Sequence, residues 1–228
     1  MSIVCQQLVL GTSVGAMVLG PGKSSYDGSM HTDEPWNDLQ QAQQYGERLL
    51  RDAAVELRES EPEDFAAMAR WWNDPAWAVL QQRIIKPRPE TGLMDMFAQW
   101  SRNEPNSGDA GFSIFERGSG SFIGHITLHG GQLPHRAAEL AVMIGPDFVG
   151  QGFGTRATKL MSAYGFRELG LHRISLCVAA FNQRAIKAYE NAGYIQEGRQ
   201  REVYFHDGAF HDQVLLSLLS GEYFAQQG

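Results

Sequence analysis

The most constraining stretch of the chain is Gly150-Gln151-Gly152-Phe153-Gly154-Thr155, set between a strand-like run that ends near Ile144 and a helix-like run over about 153–169. Glycine reaches positive φ without steric cost, so the backbone here can turn tightly. A turn of this kind at a helix start leaves successive N–H groups pointing outward, which together hold a phosphate or pyrophosphate. A phosphate-bearing ligand is the natural occupant.

Taken alone the loop is ambiguous, because Gly152-x-Gly154-x-x-Ala157 also satisfies the dinucleotide fingerprint with alanine in its last position. That fold needs a parallel sheet and an acidic residue about 20 positions on. Here the strands before the loop read as an antiparallel meander, and the next strand ends Val178-Ala179-Ala180 without Asp or Glu. No Lys-Ser/Thr pair follows the glycines, so a P-loop fails as well.

The flanking patterns predict the scaffold. Val55, Leu57 and Glu59 alternate as in a short strand, and Ser60-Glu61-Pro62-Glu63 has the form of a capping box opening a helix to about Trp72. Asn73-Asp74-Pro75 stops that helix, and a second carries Met94, Phe97 and Trp100. Strand-like runs follow at 111–116, 122–128 and 137–144. The helix behind the glycines places Phe153, Ala157, Leu160, Met161 and Tyr164 on one face. Then come a buried strand over 174–178, a helix over 182–191 ended by Gly193, and strands at 194–199 and 214–219 about an Asp207-Gly208 turn. This order is that of an α+β domain of three layers.

Composition changes near residue 53, so 53–228 is expected to be the main domain and 1–52 an N-terminal extension. Within the extension, Leu8-Val9-Leu10 and Met17-Val18-Leu19 suggest a hairpin, and 36–54 a helix with Gly46 inside it. The first 19 residues are apolar but broken by Gln6, Gln7, Gly11 and Gly15, with no Lys or Arg before Lys23, which suits neither a signal peptide nor a membrane span. Cys5 and Cys177 imply no disulfide framework, and a cytoplasmic location is expected. A formal net charge of -7 disfavours nucleic acid as a partner. His125 and His129 share a strand face about 13 Å apart, too far to bind one metal ion. His172, His206 and His211 receive no catalytic role, though His206 and His211 could border an acceptor.

Two further clusters carry chemistry. At 100° per residue Asn182, Ala185, Ile186 and Tyr189 fall on one narrow helix face, a mixture unlike pure core. Glu139 begins an otherwise apolar strand, either as a solvated end or as a base at the mouth of a cleft.

The ordered motifs resemble the GNAT superfamily of acetyltransferases, most closely the group of ribosomal-protein alanine N-acetyltransferases (RimJ/RimL type). They are Ala66-Ala67-Met68-Ala69-Arg70-Trp71-Trp72-Asn73-Asp74-Pro75, Ala138-Glu139-Leu140, the glycine loop, Leu171-His172-Arg173-Ile174, and Asn182-Gln183-Arg184-Ala185-Ile186-Lys187-Ala188-Tyr189-Glu190-Asn191-Ala192-Gly193-Tyr194. The resemblance spans most of 55–224. One departure is Val149, where the family loop usually carries Gln or Arg.

The resemblance implies a GNAT-like acyl-CoA N-acyltransferase fold, with a mixed central sheet, a splayed strand pair and helices on both faces. It implies acetyl-CoA as acyl donor, with pantetheine along Val142, Met143 and Ile144 and the phosphates on Val149, Gly150, Gln151, Gly152, Phe153, Gly154 and Thr155. Asn182 and Ala185 would meet the pantetheine, Tyr189 would protonate the leaving thiolate, and Glu139 would serve as base. Trp77, Glu197 and Asp207 would approach the amine. No metal is demanded. The acceptor would be a primary amine on a protein N-terminus or a small molecule, with no nucleic acid or membrane partner and with homodimerisation allowed for. Transfer of another acyl group, transfer to a metabolite or antibiotic amine, and a catalytically silent acyl-CoA-binding module are the alternatives.

Overall fold

The computed structural model describes residues 36–105 and 107–226; Cys5 and the hairpin expected within 8–19 lie outside them. The element order is α1 (Leu39–Leu49), β1 (Val55–Arg58), α2 (Pro62–Asn73), α3 (Pro75–Ala78), α4 (Glu90–Trp100), β2 (Ala110–Glu116), β3 (Phe122–Gln132) and β4 (Ala137–Ile144). After a short 3-10 turn come α5 (Phe153–Arg167), β5 (Arg173–Ala179), α6 (Gln183–Glu190), β6 (Ile195–His206), β7 (Ala209–Leu219) and α7 (Ser220–Ala225).

The strands form one mixed sheet in the order β1-β2-β3-β4-β5-β7-β6. Its meander β1 to β4 is antiparallel, β4 and β5 pair in parallel, and β7 returns antiparallel between β5 and β6. Period-two alternation assigns the two faces. Leu128 and Ile174 reach under α5 so closely that a Cβ on Gly165 would lie 2.9 Å from each. His125 and Thr127 face the other side, where Ser101 and the Trp100 carbonyl close α4. Helices therefore cover both faces, with fully buried Met68, Leu93 and Phe97 in one layer and Ala157 and Met161 in the other.

The start of α2 differs from expectation by one residue. Proline at the first helical position lacks an N–H and has its φ preset, so Pro62 makes Glu61 the N-cap. The reciprocating residue is then Asp64, whose Oδ2 accepts from the Glu61 N–H (3.1 Å) and from Ser113 Oγ (2.7 Å). Ser60 Oγ instead lies 2.9 Å from Ser113 Oγ, whose one proton goes to Asp64.

The closing hairpin is longer than the sequence suggests, pairing through His206↔Ala209. Its turn is as expected: Asp207 (φ 51°) and Gly208 (φ 72°) are both left-handed, the geometry that continues the natural strand twist. The helix expected over 36–54 is realised as α1, and the Tyr45 hydroxyl donates to Glu168 beside the end of α5. Residues 50–52 are stitched to β1, through Leu57 N–H to Leu50 O at 2.7 Å and the Asp52 carboxylate.

Candidate functional site

β4 and β5 are in register over three pairs only, ending at Glu139↔Ser175. Beyond that, β4 stays bonded to β3 through Ile144↔Gly124 while β5 stays bonded to β7 through Ala179↔Gln213. Each strand is held by its outer neighbour, so the two diverge and the sheet opens as a fork. A cleft of about 230 Å³ fills the opening.

The floor of the cleft near β4 is made by Val142 and Ile144, and its far end by Val149, Gly150, Gly152, Phe153, Gly154 and Thr155. Gly150 and Gly152 have φ of 81° and 83°. A Cβ on either would meet nothing within 4 Å, so the loop leaves open space above its backbone. Gly152 is the N-cap of the 15-residue α5 and supplies no side-chain cap. The first-turn N–H groups of α5 thus face the cleft side uncapped by a side chain, with the positive end of the helix dipole behind them.

The opposite wall is α6, which contributes Ala185 and Tyr189. Asn182 caps this helix, its Oδ1 accepting the Ala185 N–H at 3.2 Å. Asn182 is 5% exposed, and its Nδ2 is buried with no hydrogen-bond partner. A buried amide donor left unsatisfied costs about 1–3 kcal/mol, so a ligand carbonyl placed there would recover that loss. Tyr189 is buried beneath the same face, its ring 6.3 Å from that of Tyr194. Thr155 Oγ1 donates to Ala188 O at 3.3 Å and ties the two walls together.

Glu139 stands where the fork begins. It is half-buried, and Cys177, two residues beyond its register partner on β5, approaches its Oε1 at 3.7 Å. By strand alternation its side chain lies on the face opposite Val142 and Ile144, the face of α2 and α4. Met143 shares that face and lines a separate small cavity with Trp72 and His125. Its side chain therefore leaves the expected pantetheine wall, while its backbone remains on the edge of β4 that β5 has left. Gln151 is also displaced from expectation: exposed, it donates through Nε2 to Asp147 O at 3.3 Å, bracing the loop from outside.

The residues expected near the amine separate. Trp77 is buried, and the Arg184 guanidinium lies 5.5 Å above its ring. Glu197 is taken up by Arg173, with Nη1 to Oε1 at 2.8 Å and a second bond from Nη2 to Oε2. That guanidinium holds the Glu197 carboxyl below the usual carboxylate range. Arg173 opens β5 at the closed end of the fork, so Glu197 is held at that end. Asp207 is explained by its turn.

Arg184 and Lys187, which the sequence reading passed over, also line the cleft. The signal was their i, i+3 spacing on the helix that faces the glycine loop. Among the described residues no helix is long and apolar enough to cross a membrane.

Residues 54–195 match the acetyltransferase (GNAT) domain family. YdaF of Bacillus subtilis, provisionally named a ribosomal N-acetyltransferase, is 36% identical over 104 residues, covering 46% of this chain and 57% of its own. The spermidine N(1)-acetyltransferase of Escherichia coli K12 is 34% identical over 92 residues, covering 40% of this chain and 50% of its own. The match thus spans about half the length of these curated relatives. The crystal structure of the Vibrio cholerae spermidine N-acetyltransferase with CoA and spermine superposes with a TM-score of 0.67 at 25% identity, covering 76% of this chain and 99% of that one.

Proposed function

The chain belongs to the GNAT acetyltransferase family, and on that premise we propose that it moves an acetyl group from acetyl-CoA to a primary amine within a ternary complex. The observation that carries this reading is the forked β4/β5 cleft, with an open helix N-terminus on one wall and Tyr189 on the facing one.

Acetyl-CoA supplies an already activated thioester carbonyl. The amine lone pair forms the new C–N bond as the C–S bond breaks, so the amine must lose a proton and the departing sulfur must gain one. The glycine loop and the α5 N-terminus hold the phosphates, with Arg184 and Lys187 as counter-charges. The orphaned Nδ2 of Asn182 donates to an amide oxygen of the pantetheine arm. Tyr189, enclosed against Tyr194, gives its proton to the sulfur. Glu139 takes the proton from the amine, directly or through one water. Since a protonated amine cannot attack, Glu139→Gln is expected to cost most at low pH, where more of the acceptor is charged.

The names of the relatives point to two acceptor classes, a ribosomal one and the polyamine spermidine. The motif set of the RimJ/RimL type favours an N-terminal or similarly placed amine, in the cytoplasm. The deciding measurement is thiol release from acetyl-CoA against peptides, polyamines and aminoglycosides, together with calorimetric binding of acetyl-CoA. Tight binding without release to any amine would identify an acyl-CoA-binding module instead.

A further inference from the structure

Glu139 sits in a short row of polar side chains that crosses the sheet. His129 is its register partner on β3 and Ser175 its partner on β5, and by strand alternation Arg173 and Cys177 share the face of Ser175. The β4–β5 pairing ends at Glu139↔Ser175, so Cys177 stands two residues into the split, at the root of the fork.

The other members of the row are committed elsewhere or stand apart. Arg173 gives Nη1 to Glu197 Oε1 at 2.8 Å and to Ser217 Oγ at 3.2 Å, with Nη2 on Glu197 Oε2. Ser175 Oγ donates to the Ala138 carbonyl at 3.4 Å. The buried Nε2 of His129 makes no hydrogen bond among the described residues. Cys177 is the member of the row that reaches the carboxylate, with Sγ 3.7 Å from Glu139 Oε1, and it is itself 3% exposed.

The chemistry of the two groups gives this contact a direction. A carboxylate serving as base is ionised and can only accept, so the thiol is the donor. A guanidinium in the same place would grip the carboxylate through two charge-assisted bonds and compete with the amine. A thiol is uncharged and a weak donor. It occupies one of roughly four lone-pair sites, fixing how the carboxyl group is turned while leaving acceptor capacity for the proton of the amine.

Given Glu139 as the base proposed above, we infer that Cys177 is a positioning residue for the transfer: its S–H donates to the Glu139 carboxylate and sets the orientation in which the base meets the acceptor amine. The thiol itself forms no bond to the acetyl group.

The contact and its consequence are measured separately. The infrared S–H stretch of Cys177, isolated from that of Cys5 by difference against the matching Cys177→Ser protein, should move to higher frequency in Glu139→Gln, where a neutral amide replaces the charged acceptor. Cys177→Ala should lower kcat roughly 3- to 10-fold, the scale of one neutral hydrogen bond, with KM for acetyl-CoA within about twofold of wild type. Cys177→Ser keeps a donor in a side chain of similar shape and should recover most of that loss. In a Glu139→Gln background Cys177→Ala should cost less than about twofold, since no base remains to position. Thermal unfolding is recorded for each variant, and Cys177→Ser supplies the spectrum whether or not Cys177→Ala folds.

An S–H band unmoved by Glu139→Gln overturns the inference. So does full turnover of Cys177→Ala when chemistry limits the rate, or a loss that Cys177→Ser does not recover. Acetyl-CoA without an amine should leave the chain unmodified by mass spectrometry; an acetyl thioester on Cys177, formed with release of CoA thiol, would make the residue an acyl carrier and overturn the positioning role. None of these results touches the assignment of Glu139. Full turnover of Glu139→Gln would instead remove the base itself, and the inference would fall with it.

Discussion

Replacing Gly152 by alanine separates a folding cost from a binding cost, because the structure sets the two independently. Gly152 sits at φ 83°, where an L-residue pays roughly 1–2 kcal/mol. Reduced freedom of the unfolded chain returns about 0.4–1 kcal/mol, so a net loss near 1 kcal/mol is expected. The added Cβ meets no protein atom within 4 Å, so no clash adds to this. For a chain of this size that corresponds to a fall in Tm of about 2–4 °C. The same Cβ would project into the space assigned to the phosphates. Displacing one charge-assisted N–H bond costs about 1.5–3 kcal/mol, or roughly 10- to 100-fold in Kd for acetyl-CoA. Gly154→Ala is the companion variant, since its Cβ would lie in ordinary contact, 3.6 Å from Ile144 Cγ1, in the first turn of α5. Alanine favours a helix by up to about 1 kcal/mol over glycine, so this variant should be at least as stable as wild type while still binding more weakly. Thermal unfolding and calorimetry at one ionic strength read both quantities. A folded Gly152→Ala protein with acetyl-CoA affinity within about twofold of wild type would refute the phosphate-loop assignment.

Tyr189→Phe removes a hydroxyl from a side chain that is 1% exposed and should lower kcat roughly 10²-fold with KM for acetyl-CoA little changed; full turnover when chemistry limits the rate would make Tyr189 a packing residue. Burial holds the His125 imidazole at about 3 instead of 6.5, so between these values the unfolded chain binds a proton that the folded chain refuses. Stability should therefore be full above 6.5 and fall as pH drops toward 3, by up to about 1.4 kcal/mol per pH unit; urea midpoints at neutral and mildly acidic pH should diverge in wild type and much less in His125→Gln. Residues 1–52 are proposed as an accessory element: deleting 1–50 removes the Tyr45 bond to Glu168 and the Leu50 carbonyl that accepts the Leu57 N–H but keeps Asp52 on Arg156, and the product should remain soluble and bind acetyl-CoA. An insoluble or CoA-blind truncation would place the extension in the core.

Local rules carried most of the scaffold. β4 ends where its apolar run ends, α5 begins at the glycines, and Asp207-Gly208 is legible as a turn because its left-handed φ requirement is local. The face shared by Asn182, Ala185 and Tyr189 was legible for the same reason, since helix periodicity involves only neighbours along the chain. The capping of α2 was missed by one residue because Pro62, a local feature, outweighs the motif formed around Ser60.

What the tertiary structure alone decided involves partners far apart in sequence. Whether β4 and β5 stay paired depends on β3 and β7 pulling them apart, and the resulting fork has no signature in either strand. Glu197 carries the same carboxylate in any reading, but only the sheet order brings Arg173 beside it. Arg184 gains its meaning from Trp77, more than a hundred residues earlier. A single chain segment specifies its own backbone conformation, whereas a site is set by which segments the packed sheet brings within a few ångströms of one another.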